Sequence, residues 1–474
     1  MKQGELTFES GVKTFDQIEA IFNAHGVERI YVKFLAPRQD NDKNQVYLGK
    51  AGANNVLTMF PAVLSLRPPS TSTKKRNSKP GDPIVDMSLN FYWLHADASI
   101  YHAPQAKIIN YFQYPEARFS GFAQGCKERP DCMIRKILHD NSFGNRILIM
   151  GANYKTGETY GLALTERDDP VVSSFPKLPL FPPVPLLMTH IIGSKSGVSP
   201  RELLINELKA ISGKWHPSVR LKEKDGIPVP FKGNQGAGFT LEALLNIPTN
   251  AEKAPDKHGF EIKSFKQSGR ISLMTPTADM GKEYKMKFRD FMEVYGWSPV
   301  RDKSLHKVFN GTFRYRKKKH CEHINRNLML DVQGYDSNSG QFDTSKEDAV
   351  FIRLDDCDDN FLLSGWSLEK MLNSWNDKHA SACYVEYEKR KYSGDDKVHD
   401  NEYRYTARVF ICEGTDIWLY LAGIAKNIIY YDPGHDITKT GKTNQRPQWR
   451  ISVTKKLEAT LSELYDTVTL EELT

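Results

Sequence analysis

Residues 255–263 read Pro-Asp-Lys-His-Gly-Phe-Glu-Ile-Lys. Side chains on a strand alternate with a period of two, so Glu261 and Lys263 share one face while Ile262 points to the other. Asp256 comes back beside Glu261 if Lys-His-Gly forms a turn. Two carboxylates and an ammonium on one surface suit phosphodiester hydrolysis. That reaction needs charge offset at the phosphate and a water of lowered pKa, both of which a metal ion supplies. Mg2+ takes oxygen ligands and keeps several waters, so one or two carboxylates suffice. Asp256 and Glu261 are the expected metal ligands, and Lys263 the group that orients or polarises the water. A further carboxylate, Glu242, lies in Gly-Ala-Gly-Phe-Thr-Leu-Glu-Ala-Leu-Leu at 236–245. The spacing predicts a short helix opened by Thr240, with Leu241, Leu244 and Leu245 as its apolar stripe and Glu242 off it. Gly233, Gly236 and Gly238 lead into it but lack the Gly-Lys-Ser/Thr of a nucleotide loop, so no nucleotide cofactor is expected.

Bare spacing is weak evidence. Glu-x-Lys recurs at Glu207–Lys209, with Glu202 at the same upstream distance, and at Glu283–Lys285. The first copy falls in an amphipathic helix, where residues i and i+2 diverge. The second sits in a polar stretch that reads as a solvated face. An exposed hairpin with a surface ion pair would also satisfy the spacing at 256–263.

The run GNQGAGFTLEALLNIPTNAEKAPDKHGFEIKSF, from Gly233 onward, resembles the core of the MvaI/BcnI restriction endonucleases and of MutH, a mismatch-repair nicking enzyme. Glu242, Asp256, Glu261 and Lys263 match the four active-site positions of that pattern, in order. The resemblance spans about 200–455 and is strongest at 233–265. It implies a PD-(D/E)XK fold, Mg2+ dependence and cleavage of double-stranded DNA by a type II restriction enzyme acting as a monomer. A MutH-like nicking enzyme and a DNA-binding regulator without chemistry are the alternatives.

Near its end lies His-Asp-Ile-Thr-Lys-Thr-Gly-Lys-Thr-Asn-Gln-Arg-Pro-Gln-Trp-Arg-Ile at 435–451. Arg and Lys can bond guanine, and Gln adenine, in the major groove. By resemblance to the recognition lobe of MvaI-like enzymes, Arg446, Gln448 and Arg450 would read bases, with Lys439 and Lys442 on phosphates. A solvated loop is the other reading. Arg314 to Lys319 form the strongest charge run, equally suited to phosphate or to solvent. His320, Cys321 and His323 are too tightly spaced for a zinc finger. Asp355, Asp356, Asp358 and Asp359 lack a calcium-loop pattern and read as surface.

These elements sit in a chain of 474 residues with a net charge of +7, which favours an anionic partner without requiring one. Its six cysteines form no C-x-x-C pair, which suits reduced thiols and a cytoplasmic location. No stretch approaches the about 18 apolar residues of a membrane helix, so no membrane partner is expected. Five prolines and a Gly-Ser-Lys-Ser-Gly run mark 174–198 as a linker. Residues 66–83 read as a loop. Residues 1–173 carry alternating segments at 29–36, 44–49, 88–96, 107–114, 146–154 and 159–166, which predict a β barrel-like or sandwich domain. This region resembles the effector DNA-binding domain of the EcoRII restriction enzyme, through Lys33, Asn41, Asp42, Gln45, Glu116 and Arg118. That likeness implies DNA contacts at Lys33, Gln45 and Arg118. Residues 199–474 are expected to form the α/β PD-(D/E)XK domain. It would open with a helix at 199–212 capped by Ser199 and end in a surface helix at 455–474.

Overall fold

In a computed structural model the structure describes residues 11–35, 45–49, 59–67, 84–111, 116–134, 142–177, 187–193, 199–222, 226–247, 256–299, 302, 304–343, 349–379 and 381–473. The chain divides into two compact units, the first ending at Ile205 and the second beginning at Asn206. Asn41 and Asp42, much of 66–83 and parts of 174–198 lie outside the described residues.

The first unit holds two sheets. One has six strands, in the order Met188–Ile191, Arg29–Leu35, Arg146–Asn153, Glu158–Thr165, Asn90–Leu94 and Ile100–His102. The other has five, in the order Gln45–Gly49, Glu116–Ser120, Lys107–Tyr111, Ile84–Ser88 and Val63–Arg67. The expected barrel is corrected here: among the described residues neither sheet closes on itself. A barrel requires its last strand to pair with its first, whereas each of these sheets ends in two edge strands. All six alternating segments are strands, but alternation reports only that a strand has two faces. It does not say which strand lies beside which. The chain leaves one sheet at Ser88 and enters the other at Asn90, pairing there in parallel with Glu158–Gly161. A helix not anticipated, Phe15–Asn23, covers the larger sheet. Thr14 and Gln17 form its capping box. Its Ile18, Ile21 and Phe22 bury against Ile30, Val32, Ile149, Leu162 and Phe175.

The second unit is α/β. The helix Pro200–Ile211, within which the division falls, is capped by Ser199, whose Oγ accepts from the Glu202 N–H at 3.1 Å while Glu202 accepts from the Ser199 N–H at 2.7 Å. One sheet runs Trp215–Pro217, Asn401–Glu413, Ser381–Lys391, Glu261–Phe265, with Thr467–Glu472 also pairing on Asn401–Glu413. Glu261–Phe265 lies at its edge, parallel to Ser381–Lys391, with Glu261 opposite Ala382 and Lys263 opposite Tyr384. The next strand, Arg270–Met274, joins a different sheet with Trp449–Ser452 and Ile429–Tyr431. The turn at 266–269 therefore links the sheet bearing Glu261 to the one bearing Arg450. The C-terminal stretch differs from the expected helix. Only Leu457–Ser462 is helical, and Thr467–Glu472 is a strand, because its alternating Thr-Val-Thr-Leu pattern finds an open sheet edge.

Candidate active site

The site begins with a tight turn. His258 and Gly259 both have positive φ, 49° and 84°. Lys257 and Phe260 exchange backbone hydrogen bonds across them, at 2.8 and 3.1 Å. Two left-handed residues in succession make the turn that reverses a chain within a hairpin, and glycine takes one of them without strain. Asp256 is thereby returned to the start of the strand, where its Oδ2 accepts from the Ile262 N–H at 2.8 Å. Glu207 holds the turn from outside: its carboxylate meets His258 Nε2 at 2.9 Å and Lys257 Nζ at 3.4 Å. The Glu-x-Lys copy at 207–209 thus contributes a brace to this site, through its first residue. Only its proximity in sequence to a helix end could have hinted at that.

On the strand, Glu261 is buried, Lys263 half-buried, and Ile262 is buried on the opposite face. Lys263 Nζ donates to Glu261 Oε1. Burial pulls the Lys263 pKa down, but the carboxylates of Glu261, Asp256 and Glu242 outweigh it and hold the ammonium above its ordinary range.

Glu242 comes from the helix Gly236–Leu244, which packs on Val219–Leu221 and Glu261–Phe265. The helix starts earlier than expected. Gly236 and Gly238 are inside it, and Thr240 is a buried clamp whose Oγ1 accepts from the Val219 N–H at 3.1 Å. A Cβ at Gly236 would lie 2.5 Å from Tyr403 Oη and 2.8 Å from Ser218 Oγ, so close packing explains a glycine there. Tyr405 Oη donates to the Ala237 carbonyl at 2.6 Å and fixes the helix to strand Asn401–Glu413.

Asp256 and Glu261 offer only oxygen donors, which suits Mg2+ and not a thiolate- or imidazole-preferring metal. Among the described residues no group of three or more His, Cys, Asp or Glu is placed to hold a metal ion. Two carboxylates plus waters fall below that number and remain within what Mg2+ accepts.

A second set of expected residues lies on Trp449–Ser452 and the segment before it. Arg450 Nη1 donates to Asp432 at 2.9 Å, its Nε to Ser272 Oγ at 3.1 Å and its Nη2 to Gln448 Oε1. Asp432 also accepts from Arg270 Nη1 at 2.7 Å. Arg446 Nη1 lies 3.1 Å from Asp436 Oδ2 with its guanidinium exposed. Lys439 and Lys442 are exposed at the turn between the two short strands Gly434–Thr438 and Thr443–Asn444. Sequence spacing gave no warning of Asp432, Asp436 or Arg270, because only the fold brings them to these guanidinium groups. Two surface expectations fail. Glu283 is buried, and Asp356 is fully buried where Arg326 Nη1 reaches its Oδ2 at 2.7 Å.

In the first unit Arg118 Nη1 donates to Gln45 Oε1 at 3.3 Å, and Arg118 pairs with Glu116. Lys33 lies in the other sheet, where burial lowers its pKa.

The edge strand with Glu261 and Lys263, the returning Asp256 and the flanking helix define a PD-(D/E)XK-like domain. The MvaI/BcnI restriction endonuclease family matches residues 205–459, and the chain belongs to that family. Among solved structures, the complex of restriction endonuclease MvaI with its cognate DNA substrate is similar at 19% identity and a TM-score of 0.43, over 57% of this chain and 97% of that one. Restriction endonuclease MvaI in the absence of DNA gives 18% identity and 0.31, over 59% and 100%. No curated protein matches the chain. Among the described residues no helix is long and apolar enough to cross a membrane.

Proposed function

We propose that this protein is a Mg2+-dependent, site-specific endonuclease of the type II restriction class that hydrolyses phosphodiester bonds of double-stranded DNA. The observation that carries the reading is the Lys263 ammonium on Glu261 at a sheet edge, with Asp256 returned by the 257–260 turn to the Ile262 N–H and the helix bearing Glu242 packed on the same strand. Asp256 and Glu261 would hold the ion, which when bound supplies charge neutralisation at the phosphate and acidifies water. Lys263 presents a fixed cation that orients the attacking water and balances charge developing on the phosphate. Asp256 also keeps the strand start in place through Ile262, and Glu242 bounds the site from the helix side.

Arg446, Gln448 and Arg450 are proposed to read bases and Lys439 and Lys442 to contact phosphates, with Asp432 and Asp436 holding the guanidinium groups in place. The first unit is proposed to bind DNA through Lys33, Gln45 and Arg118. The proposed organisation is a DNA-binding region at 1–173 and a nuclease at 199–474, working as a monomer; 174–198, expected as a linker, contributes the strand Met188–Ile191 to the first unit's larger sheet.

The test is incubation of mixed-sequence plasmid, prepared with and without methylation, with Mg2+ and either the parent protein or Lys263→Ala. Discrete fragments from the parent and a loss on the order of 10²–10³-fold in the variant are expected. Intact DNA of both kinds with the parent protein would overturn the reading. Single nicks alone would replace it with a strand-nicking role.

A further inference from the structure

Glu283, in the five-residue helix Gly281–Lys285, is 4% exposed. A buried carboxylate is costly unless paired and hydrogen-bonded. Two of its partners come from the segment that carries Arg446. Gln445 Nε2 donates to Glu283 Oε1 at 2.9 Å, and His435 Nε2 lies 3.5 Å from the same oxygen. His435 is itself fully enclosed, with Phe288 edge-on at 5.4 Å and Phe309 stacked at 6.0 Å. Its Nδ1 accepts from the Arg446 backbone N–H at 2.8 Å. In the neutral ring the proton therefore sits on Nε2, facing Glu283 and the Tyr431 hydroxyl, which is 3.3 Å away. The imidazole is a rigid spacer between the Glu283 carboxylate and the backbone of Arg446. The Arg446 carbonyl accepts from the Gly434 N–H at 2.9 Å, closing the same ladder. Above this base the Arg446 guanidinium stays exposed beside Asp436, whose other oxygen accepts from Asn444 Nδ2 at 2.6 Å.

We propose that Glu283 is a positioning residue for DNA binding: through His435 and Gln445 it fixes the backbone at 445–446 so that the Arg446 guanidinium is presented in one orientation. Glu283 itself touches no DNA. The assignment rests on the proposed function only in taking Arg446 as a DNA contact. Pre-organising a donor removes the ordering cost that a mobile loop would impose on binding.

The test is a double-mutant cycle on the full chain, read as Kd for mixed-sequence plasmid DNA in EDTA, with Glu283→Gln, Arg446→Ala and the double variant. Each single variant is expected to weaken binding about tenfold, the scale of one charge-assisted hydrogen bond. The double variant is expected to bind no worse than Arg446→Ala, because Glu283 acts through Arg446. Independent, multiplying losses overturn the assignment, as does an unchanged Kd for Glu283→Gln. Should Glu283→Gln fail to fold, Glu283→Asp, which keeps the charge, enters the same cycle with the same criteria. A parent protein that binds in EDTA but does not cut when Mg2+ is supplied overturns the proposed function alone. One that does not bind overturns both.

Discussion

At the scale of single residues, two buried carboxylates carry different burdens. Glu261 is compensated by Lys263, so Lys263→Ala removes the ammonium that sits on a buried carboxylate. We expect a loss of about 2–3 kcal/mol in urea unfolding, less than the full cost for a wholly enclosed pair because Lys263 keeps 21% of its side chain exposed. Lys263→Ala should therefore lose stability as well as activity, and a variant as stable as the parent would contradict the observed pairing. For Glu283, burial works to raise the pKa. Hydrogen bonding from His435 and Gln445 overcomes it and holds the carboxyl below its ordinary value. A lowered carboxylate pKa means the folded state binds fewer protons than the unfolded one. The stabilisation is then present above the ordinary value of about 4.3 and is lost as pH falls through the folded pKa. Stability measured against pH should fall in the acid limb below about pH 4, and Glu283→Gln should flatten that limb. An identical slope in both proteins would show that Glu283 does not titrate across folding.

At the scale of elements, the helix Gly236–Leu244 shows how packing decides the sign of a substitution. Alanine is ordinarily better than glycine in a helix by about 1 kcal/mol. At Gly238 the nearest side-chain atom to an added Cβ is Ser264 Oγ at 3.9 Å, so Gly238→Ala should raise thermal stability by up to about 1 kcal/mol. At Gly236 the same methyl meets Tyr403 Oη and Ser218 Oγ, and overpacking of about 1–3 kcal/mol should win. Gly236→Ala should also displace Glu242 and reduce cleavage. Melting temperatures that move in the same direction for both variants would refute this account. The turn at 257–260 is the other decisive element. It turns residues separated along the chain into neighbours, and Glu207 braces it from a helix that spacing alone offers as a rival site.

At the scale of the whole molecule, the division at Ile205/Asn206 gives each unit its own sheets and core. Residues 199–474 expressed alone should unfold cooperatively in urea and cut plasmid DNA, while losing whatever affinity residues 1–173 add. A non-cooperative, inactive fragment would show that the units depend on one another. DNA binding by the full chain, with its net charge of +7, should also weaken linearly in the logarithm of salt concentration.

The sequence by itself determined what local chemistry can determine. The Ser199–Glu202 capping box, the period-two face of Glu261 and Lys263, and the apolar alternation of six strands in the first unit all depend on residues within a few positions of one another. The order of the four candidate site residues is likewise legible, since it is carried by one continuous run. What the tertiary structure decided depends on partners distant in the chain. The first unit forms open sheets because strand neighbours are chosen by long-range pairing, which alternation does not encode. Glu283 and Asp356 looked like solvent-facing acids until His435, Gln445 and Arg326 arrived from other strands to compensate their burial. Asp432 and Ser272, which hold the Arg450 guanidinium, likewise come from positions that the run around Arg450 does not contain. A charged side chain's role is set by the charges opposite it, and those are supplied by the fold.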